Sequence, residues 1–275
     1  MSPPTAPVLV TGCSSGIGRA TVQALLAGPR PVWAMARTVE TLADLAAAGV
    51  HVLGLDVTDE TSMTAAVARV QDEHGAVGGL VNNAGYAEYG PVEEVPLELV
   101  RRQFETKFGL VRLCQLVLPG MRAAGRGRIV NVSSMGGRMT LPGGGVYHAC
   151  KYAVEAFSDA LRFESRGFGV RVSVVAPGPV RTPFAEEATA ASDGDGPYAA
   201  FRAGVAARNA TAYGAGARGL LEPADVAATV VTALDAARPR ARYPVGAVAR
   251  QLVGARRVLP TGVWDAMIRR EYPTP

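Results

Sequence analysis

Val8-Leu9-Val10-Thr11-Gly12-Cys13-Ser14-Ser15-Gly16-Ile17-Gly18 is the stretch on which the reading of this chain turns. Val8-Leu9-Val10 is short, apolar and β-branched, as a buried strand is. After Gly18, small and apolar residues alternate through Leu26 and predict a helix. A glycine-rich turn between strand and helix is the setting a phosphate-binding turn requires. Bare backbone can approach a pyrophosphate, and the helix N-terminus offers free N–H groups and the positive end of its dipole. The spacing is Gly-x₃-Gly-x-Gly, not the best-known dinucleotide fingerprint, Gly-x-Gly-x-x-Gly.

The same alternation continues outward. Val32–Ala36 predicts a second strand, ending at Arg37-Thr38. An acidic residue about 20 positions after the glycines would hydrogen-bond the ribose of NAD. Ala36 and Arg37 stand there instead, and Arg37 suits a 2′-phosphate, which argues for NADP(H); the other reading is a solvated arginine in a surface turn. Val50–Val57 predicts a third strand carrying Asp56, followed by a helix start at Thr58-Asp59-Glu60. Gly79-Leu80-Val81 with Asn82-Asn83-Ala84-Gly85 gives a fourth strand and its turn, and helical patterning covers about Leu97 to Ala123. Arg128–Ser134 and Val170–Ala176 predict a fifth and a sixth strand, the last closed by Pro177-Gly178-Pro179-Val180-Arg181-Thr182-Pro183. Strands alternating with helices imply an α/β fold: a single doubly wound parallel sheet, Rossmann-like, in one domain spanning 1–275. Ligands bind outside the carboxyl ends of such strands, so Asp56 and Asn82 fall at the edge that would touch a nucleotide.

Tyr147-His148-Ala149-Cys150-Lys151 places a phenol and an ammonium one helical turn apart on one face. A nearby ammonium favours the ionised phenol and would pull the Tyr147 pKa down from about 10. Ala153, Phe157, Ala160 and Leu161 form the apolar stripe expected of that helix. His148 is expected to point away from the Tyr147/Lys151 face, and Ser133 to lie on the opposite strand face to Ser134. Residues 185–218, rich in Ala, Gly, Ser and Asp with a few aromatics, read as a substrate lid. The stretch 238–275 is basic and apolar by turns and reads as a C-terminal helical extension packed on the domain, with a membrane-surface role the less favoured reading.

An apolar share of 48 % supports a sizeable core, and a charged share of only 19 % argues against disorder. A net charge of +4 without a dense basic block before residue 230 argues against nucleic acid as a partner. Three cysteines, Cys13, Cys114 and Cys150, lack metal-ligand spacing and suit a reduced, cytoplasmic setting. Cys13, in the glycine turn, and Cys150, off the Tyr147/Lys151 face, read as fillers; the other reading is that a thiol reagent at Cys13 blocks cofactor entry. The first residues lack a basic and an apolar segment of the secretory kind, and no apolar run is long enough to cross a bilayer.

Taken together these motifs resemble the short-chain dehydrogenase/reductase family. Thr11-Gly12-x₃-Gly16-Ile17-Gly18 is similar to its cofactor turn, Asp56-Val57 to its adenine contact and Asn82-Asn83-Ala84-Gly85 to its fourth-strand motif. Ser134 and Tyr147-x₃-Lys151 resemble its catalytic serine and its Tyr/Lys pair, and Pro177-Gly178 with Thr182 the turn that holds the nicotinamide amide. The likeness runs in order from about residue 8 to 184. Within the family, Thr11–Gly18 and Pro177-Gly178-Pro179-Val180-x-Thr182-x-Phe184 most resemble the 17β-hydroxysteroid and retinol dehydrogenase-like branch.

The resemblance implies hydride exchange between NADP(H) and a bulky apolar ketone or secondary alcohol, steroid-, retinoid- or polyketide-like. Ser134 would hold the carbonyl oxygen, Tyr147 would exchange its proton, and Lys151 would lower the tyrosine pKa and bind ribose hydroxyls. The cofactor would rest on Gly12, Ser14, Ser15, Gly16, Ile17, Gly18, Arg37, Thr38, Asp56, Val57, Asn83, Ala84, Gly85, Pro177, Gly178, Val180 and Thr182, with Tyr147 and Lys151. Two other readings are a cofactor-binding protein with little redox turnover and an enzyme for a non-redox step on a natural-product intermediate.

The family places an asparagine at a kink of the fourth helix, three residues before a glycine, where it relays protons through water. This chain reads Phe104-Glu105-Thr106-Lys107-Phe108-Gly109, one residue shorter. One expectation is a straightened helix that has lost the relay; the other is a Lys107 that faces solvent. The family also pairs through the fourth and fifth helices. A homodimer or homotetramer is therefore expected, with Leu110, Leu113, Leu116, Phe157 and Leu161 as its apolar surface.

Overall fold

The computed structural model describes residues 6–186, 189–190, 195–214 and 216–274; of the 185–218 stretch, positions 187–188, 191–194 and 215 lie outside the described residues. The chain opens with β1 (Val8–Thr11), α1 (Gly16–Leu25), β2 (Val32–Ala36), α2 (Ala43–Ala47), β3 (His51–Gly54), α3 (Glu60–His74) and β4 (Gly79–Asn82). Next come β5 (Glu88–Tyr89), α4 (Leu97–Ala123), β6 (Gly127–Val132), α5 (Gly145–Ser165) and β7 (Val170–Pro177). The last third carries α6 (Pro183–Glu186), β8 (Thr189–Ala190), α7 (Ala199–Tyr213), α8 (Pro223–Asp235), β9 (Arg242–Val245), α9 (Ala247–Val258) and α10 (Thr261–Arg269).

Seven strands form one parallel sheet in the order β3-β2-β1-β4-β6-β7-β9, and β5 and β8 pair separately. This is the Rossmann-like α/β fold. Side chains alternate between the sheet's two faces, so each strand feeds two cores. Val8, Val10, Val130 and Val132 pack with Val22 and Leu25 of α1 and Val226 and Val230 of α8. Leu9, Leu80, Ile129 and Val172 pack with Met63 and Val67 of α3, Leu113 and Val117 of α4 and Leu161 of α5. The strand order reverses between β1 and β4, and the crevice outside their carboxyl ends is the one such folds use for ligands.

Inside the sheet a polar chain fixes α5. Asn82 Nδ2 donates to Asn131 Oδ1 at 2.9 Å, Asn131 Nδ2 to Ser158 Oγ at 2.9 Å, and Ser158 Oγ to the Val154 carbonyl at 2.6 Å. Asn82 is therefore a core tie between β4 and β6, not the nucleotide contact its strand-end position suggests.

Several expectations change on folding. The 238–275 stretch supplies a strand as well as helices, because β9 extends the sheet beside Val174–Pro177. Arg242 on β9 bridges to Glu155 at 2.6 Å and Asp159 at 2.5 Å, tying the added strand to α5. The inward face of α5 is Cys150, Lys151, Val154, Glu155, Ser158 and Leu161; Ala160 is exposed and Ala153 only half-buried. Leu110, Leu113 and Leu161 are buried in this chain's own core, so they are not free to form a subunit contact; the exposed apolar residues of α4 and α5 include Phe108, Tyr152 and Phe163.

α4 runs without interruption from Leu97 to Ala123. Its buried stripe is Gln103, Lys107, Leu110, Cys114, Val117 and Met121, in steps of four and three. Lys107 thus faces inward, at 4 % exposure, which rules out the solvent-facing reading. Among the described residues, no helix is long and apolar enough to cross a membrane.

Candidate active site

A single cleft of about 1380 Å³ lies across the carboxyl ends of the strands. Its nucleotide end is built by the turn between β1 and α1. Gly12 and Gly16 take positive φ of 70° and 55°, open to glycine without strain. Gly18 packs so tightly that a Cβ there would stand 2.1 Å from the Gly12 carbonyl oxygen. Asn83 holds the turn from the other side: its Nδ2 donates to the Thr11 and Gly12 carbonyls, both at 3.0 Å. Ser15, at the N-cap of α1, makes no side-chain capping bond, and no acidic residue sits in the first turn. The free N–H groups and positive helix end are therefore directed at the cleft, which fits a pyrophosphate.

Along the same wall, Asp56 accepts from the Thr58 amide at 2.9 Å and hydroxyl at 2.7 Å. Those bonds, the amide's first, hold its carboxyl below the usual range. Arg37 is exposed at the end of β2 and close enough to Asp56 to add to that lowering. Cleft-lining positions include Gly12, Ser14, Ser15, Gly16, Ile17, Arg37, Asp56, Val57, Asn83, Ala84, Gly85, Pro177, Gly178, Val180 and Thr182. Two expected contacts do not line it. Gly18 lies beneath the turn, and the Thr38 carbonyl accepts from Thr41 Oγ1 at 2.6 Å.

At the other end, Ser134, Tyr147 and Lys151 converge. Ser134 follows β6 in extended backbone, and its Oγ accepts from the Gly136 amide at 3.0 Å. Its hydroxyl lies beside the Tyr147 phenol, close enough to lower the phenol's pKa. The Lys151 Nζ donates to the Val132 carbonyl at 2.9 Å and lies 5.8 Å from the Tyr147 ring centre. Burial pushes the Tyr147 phenol well above its ordinary pKa, and the Ser134 hydroxyl only partly offsets this. The lowered tyrosine expected beside a lysine is not found: burial raises Tyr147 and also drives the Lys151 ammonium far down.

The aromatic wall around Tyr147 comes from three places. Tyr89 on β5 stands 5.7 Å from the Tyr147 ring and Phe184 on α6 5.8 Å. His148 does not face away as its position predicts: its ring lies 5.5 Å from Tyr147 and lines the cleft. Its Nδ1 lies 3.0 Å from the Gly136 carbonyl, and burial lowers its pKa, favouring the neutral ring. Ser133, also outside the expected site, reaches the cleft wall while almost wholly buried. Tyr213 and Tyr272 complete the far side. The period of α5 separates His148 from Tyr147 by only one position, and no sequence signal marks the 3₁₀ turn at Met135–Gly137 that receives it.

The short chain dehydrogenase family profile matches residues 6–193. This chain belongs to that family. The dehydrogenase resembles the oxidoreductase YbbO of Escherichia coli K12, at 35 % identity over 95 % of this chain and 93 % of the relative. It is 39 % identical to the NADPH-dependent 3-dehydrocapnine reductase of Ornithobacterium rhinotracheale over 63 % of this chain and 65 % of that one. The crystal structure of a short-chain dehydrogenase from Streptomyces avermitilis superposes with a TM-score of 0.80, at 34 % identity, covering 97 % of this chain and 94 % of that one.

The dehydrogenase's cysteines are inert by the same physics that shapes the cleft. Cys13 is fully buried, its Sγ donating to the Val10 carbonyl at 3.1 Å, and burial pushes its thiol up to about 12. Cys114 is likewise raised to about 12 and Cys150 to about 11. The thiolate is the reactive form. A disulfide-exchange reagent is therefore expected to find no fast-reacting thiol in the native protein at neutral pH, and all three after denaturation. Rapid native labelling of Cys13, the blocking route its sequence position suggests, would contradict this burial.

Proposed function

We propose that this dehydrogenase is an NADP(H)-dependent ketoreductase that interconverts a bulky apolar ketone and its secondary alcohol. The observation that carries the reading is one cleft with two ends: a bare glycine turn with Arg37 beyond it, and a hydroxyl–phenol–amine cluster walled by aromatics. Bound there, the cofactor supplies the hydride. The chain's own residues supply position and electrostatics. Gly12, Ser14, Ser15, Gly16 and Ile17 hold the pyrophosphate, Asp56 and Val57 the adenine side, Arg37 the 2′-phosphate. Asn83, Ala84, Gly85, Pro177, Gly178, Val180 and Thr182 frame the nicotinamide side.

Ser134 donates to the substrate oxygen, and Tyr147 delivers the proton as charge grows on it. Neutral His148 and the rings of Tyr89, Phe184, Tyr213 and Tyr272 give the substrate an apolar, water-poor setting. The 185–218 segment acts as the lid and the 238–275 extension as the outer wall, all within one domain. That wall suits the large substrates of the 17β-hydroxysteroid and retinol dehydrogenase-like branch, in a cytoplasmic homodimer or homotetramer joined through α4 and α5, with Phe108 and Tyr152 in the contact.

The test is oxidation of NADPH, against NADH, with a panel of steroid, retinoid, polyketide and long-chain ketones. Arg37→Ala is expected to weaken NADPH by about 10–100-fold, the worth of a charge-assisted phosphate contact, and to leave NADH unchanged. Equal use of both cofactors by the wild type would remove Arg37 from the phosphate role. No ketone reduced despite tight cofactor binding would favour the low-turnover reading.

A further inference from the structure

We propose that His51, Glu73 and His74 form a zinc site, a three-ligand clamp between the edge strand β3 and the last turn of α3. It does not rest on the reductase reading, since none of the three residues lines the cleft.

The chain has three histidines. One, His148, stands at the cleft. The other two meet at one spot, although most of α3 lies between them in sequence. Two rigid elements bring them together. β3 is the outermost strand of the sheet, and its first residue, His51, is registered against Trp33 of β2. Residues in register on neighbouring strands share a face. The His51 ring accordingly stacks on the Trp33 indole, with ring centres 4.4 Å apart and planes 17° apart. α3 packs on that face through Met63, Val67 and Val70, so its last turn delivers Glu73 and His74 to the same place.

The donor atoms converge. Glu73 Oε1 lies 3.8 Å from His51 Nδ1 and 3.6 Å from His74 Nε2. One donor atom from each residue lies within 4.8 Å of the others. Neither separation from Oε1 is a hydrogen bond. Tetrahedral zinc, with ligands at about 2.0–2.2 Å, sets its donor atoms about 3.3–3.5 Å apart. Small rotations of the three side chains therefore close them on an ion.

The ligand chemistry selects zinc. Two imidazoles and a carboxylate leave the fourth position to water, and imidazole suits zinc where magnesium and calcium take oxygen. His74 Nε2 already has the form a metal needs. It accepts the Trp33 indole N–H at 3.3 Å, so it carries a lone pair and the ring proton sits on Nδ1. That bond is long, and the ion takes its place. Glu73 turns its other oxygen, Oε2, to Arg69 at 3.4 Å, which leaves Oε1 to the histidines. Solvent reaches all three side chains, so an ion has a way in. Bound zinc ties the edge strand to the helix that follows it and, by binding the folded chain alone, stabilises it.

The test titrates Zn²⁺ into the full, untagged, cofactor-free chain. One equivalent is expected to bind by calorimetry, and the melting temperature should rise with Zn²⁺ concentration. Mg²⁺ should do neither. A ¹H–¹⁵N spectrum gives two indole N–H signals, from Trp33 and Trp264. The Trp33 signal should shift as zinc displaces it from His74 Nε2, and the Trp264 signal should stay. His51→Gln and His74→Gln should each weaken binding by at least about tenfold, the cost of losing even a partner behind a ligand. No saturable binding to the wild type, or a Trp33 signal unmoved at saturation, would overturn the site, and neither arm needs a variant to fold. Undiminished binding to the double variant would place the ion elsewhere and overturn it too. Ketone reduction is read at no stage, so failure here leaves the reductase reading standing.

Discussion

Tyr147→Phe is expected to lower kcat for ketone reduction by about 10³-fold, within the range of a positioned general acid, and to leave cofactor affinity nearly unchanged. The ring loses only its hydroxyl, so its contacts with Tyr89 and Phe184 survive. The Ser134 hydroxyl loses its neighbour but keeps the Gly136 amide as a donor to its oxygen. What disappears is the phenolic proton that burial holds firmly on the Tyr147 oxygen.

That raised pKa also sets a direction. A group whose pKa is raised keeps its proton through neutral pH, so Tyr147 is ready to act as an acid. Alcohol oxidation needs the same oxygen as a base, in a form that becomes available only as pH climbs. Reduction by the wild type should therefore vary little across neutral pH while oxidation accelerates with alkalinity, and steady-state rates in both directions would show it. A Tyr147→Phe enzyme within about tenfold of wild type would mean the proton comes from elsewhere.

Gly18→Ala should act on the opposite end of the cleft and by a different route. Its Cβ would fall 2.1 Å from the Gly12 carbonyl oxygen and 2.6 Å from Asn83 Nδ2. Neither can withdraw cheaply, because that amide holds the Thr11 and Gly12 carbonyls and so fixes the turn. Overpacking of this kind costs about 1–3 kcal/mol in stability, and the displaced turn no longer aims its backbone at a pyrophosphate. Cofactor affinity measured by calorimetry should fall by at least about 100-fold, with the melting temperature down by several degrees. A Gly18→Ala protein that binds cofactor as the wild type does would show that the turn tolerates rearrangement and that its tight packing is incidental.

The fold was legible because its signals are local. The β1–α1 turn, the strand at Val32–Ala36 and the run Val170–Ala176 each declare themselves by period and flanking glycines. β9 was not legible: Arg242-Tyr243-Pro244-Val245 is four residues long, half-buried at best over most of its length and broken by a proline tolerated on a sheet edge. Ser134, Tyr147 and Lys151 were readable as a group only from the order of motifs, since each alone is common. Lys107 was not legible for a physical reason. The shortened interval before Gly109 masks the steps of four and three from Gln103 to Met121, which turn Lys107 inward along with Leu110 and Cys114. Leu110, Leu113 and Leu161, expected to join subunits, are core because hydrophobicity marks burial without saying whose surface does the burying; Leu116 and Phe157 are only partly buried.

The two lysines on the cleft floor have a consequence for the rest of the molecule. With Lys107 and Lys151 both on the cleft floor and 4 % exposed, this chain carries no ε-amine on its outer surface, and the exposed positive side chains are guanidinium groups. Acyl groups and ubiquitin-like tags are commonly placed on exposed lysines, and the folded chain offers none. An amine-directed reagent that labels a lysine side chain of the native chain therefore reports on the floor of the cleft.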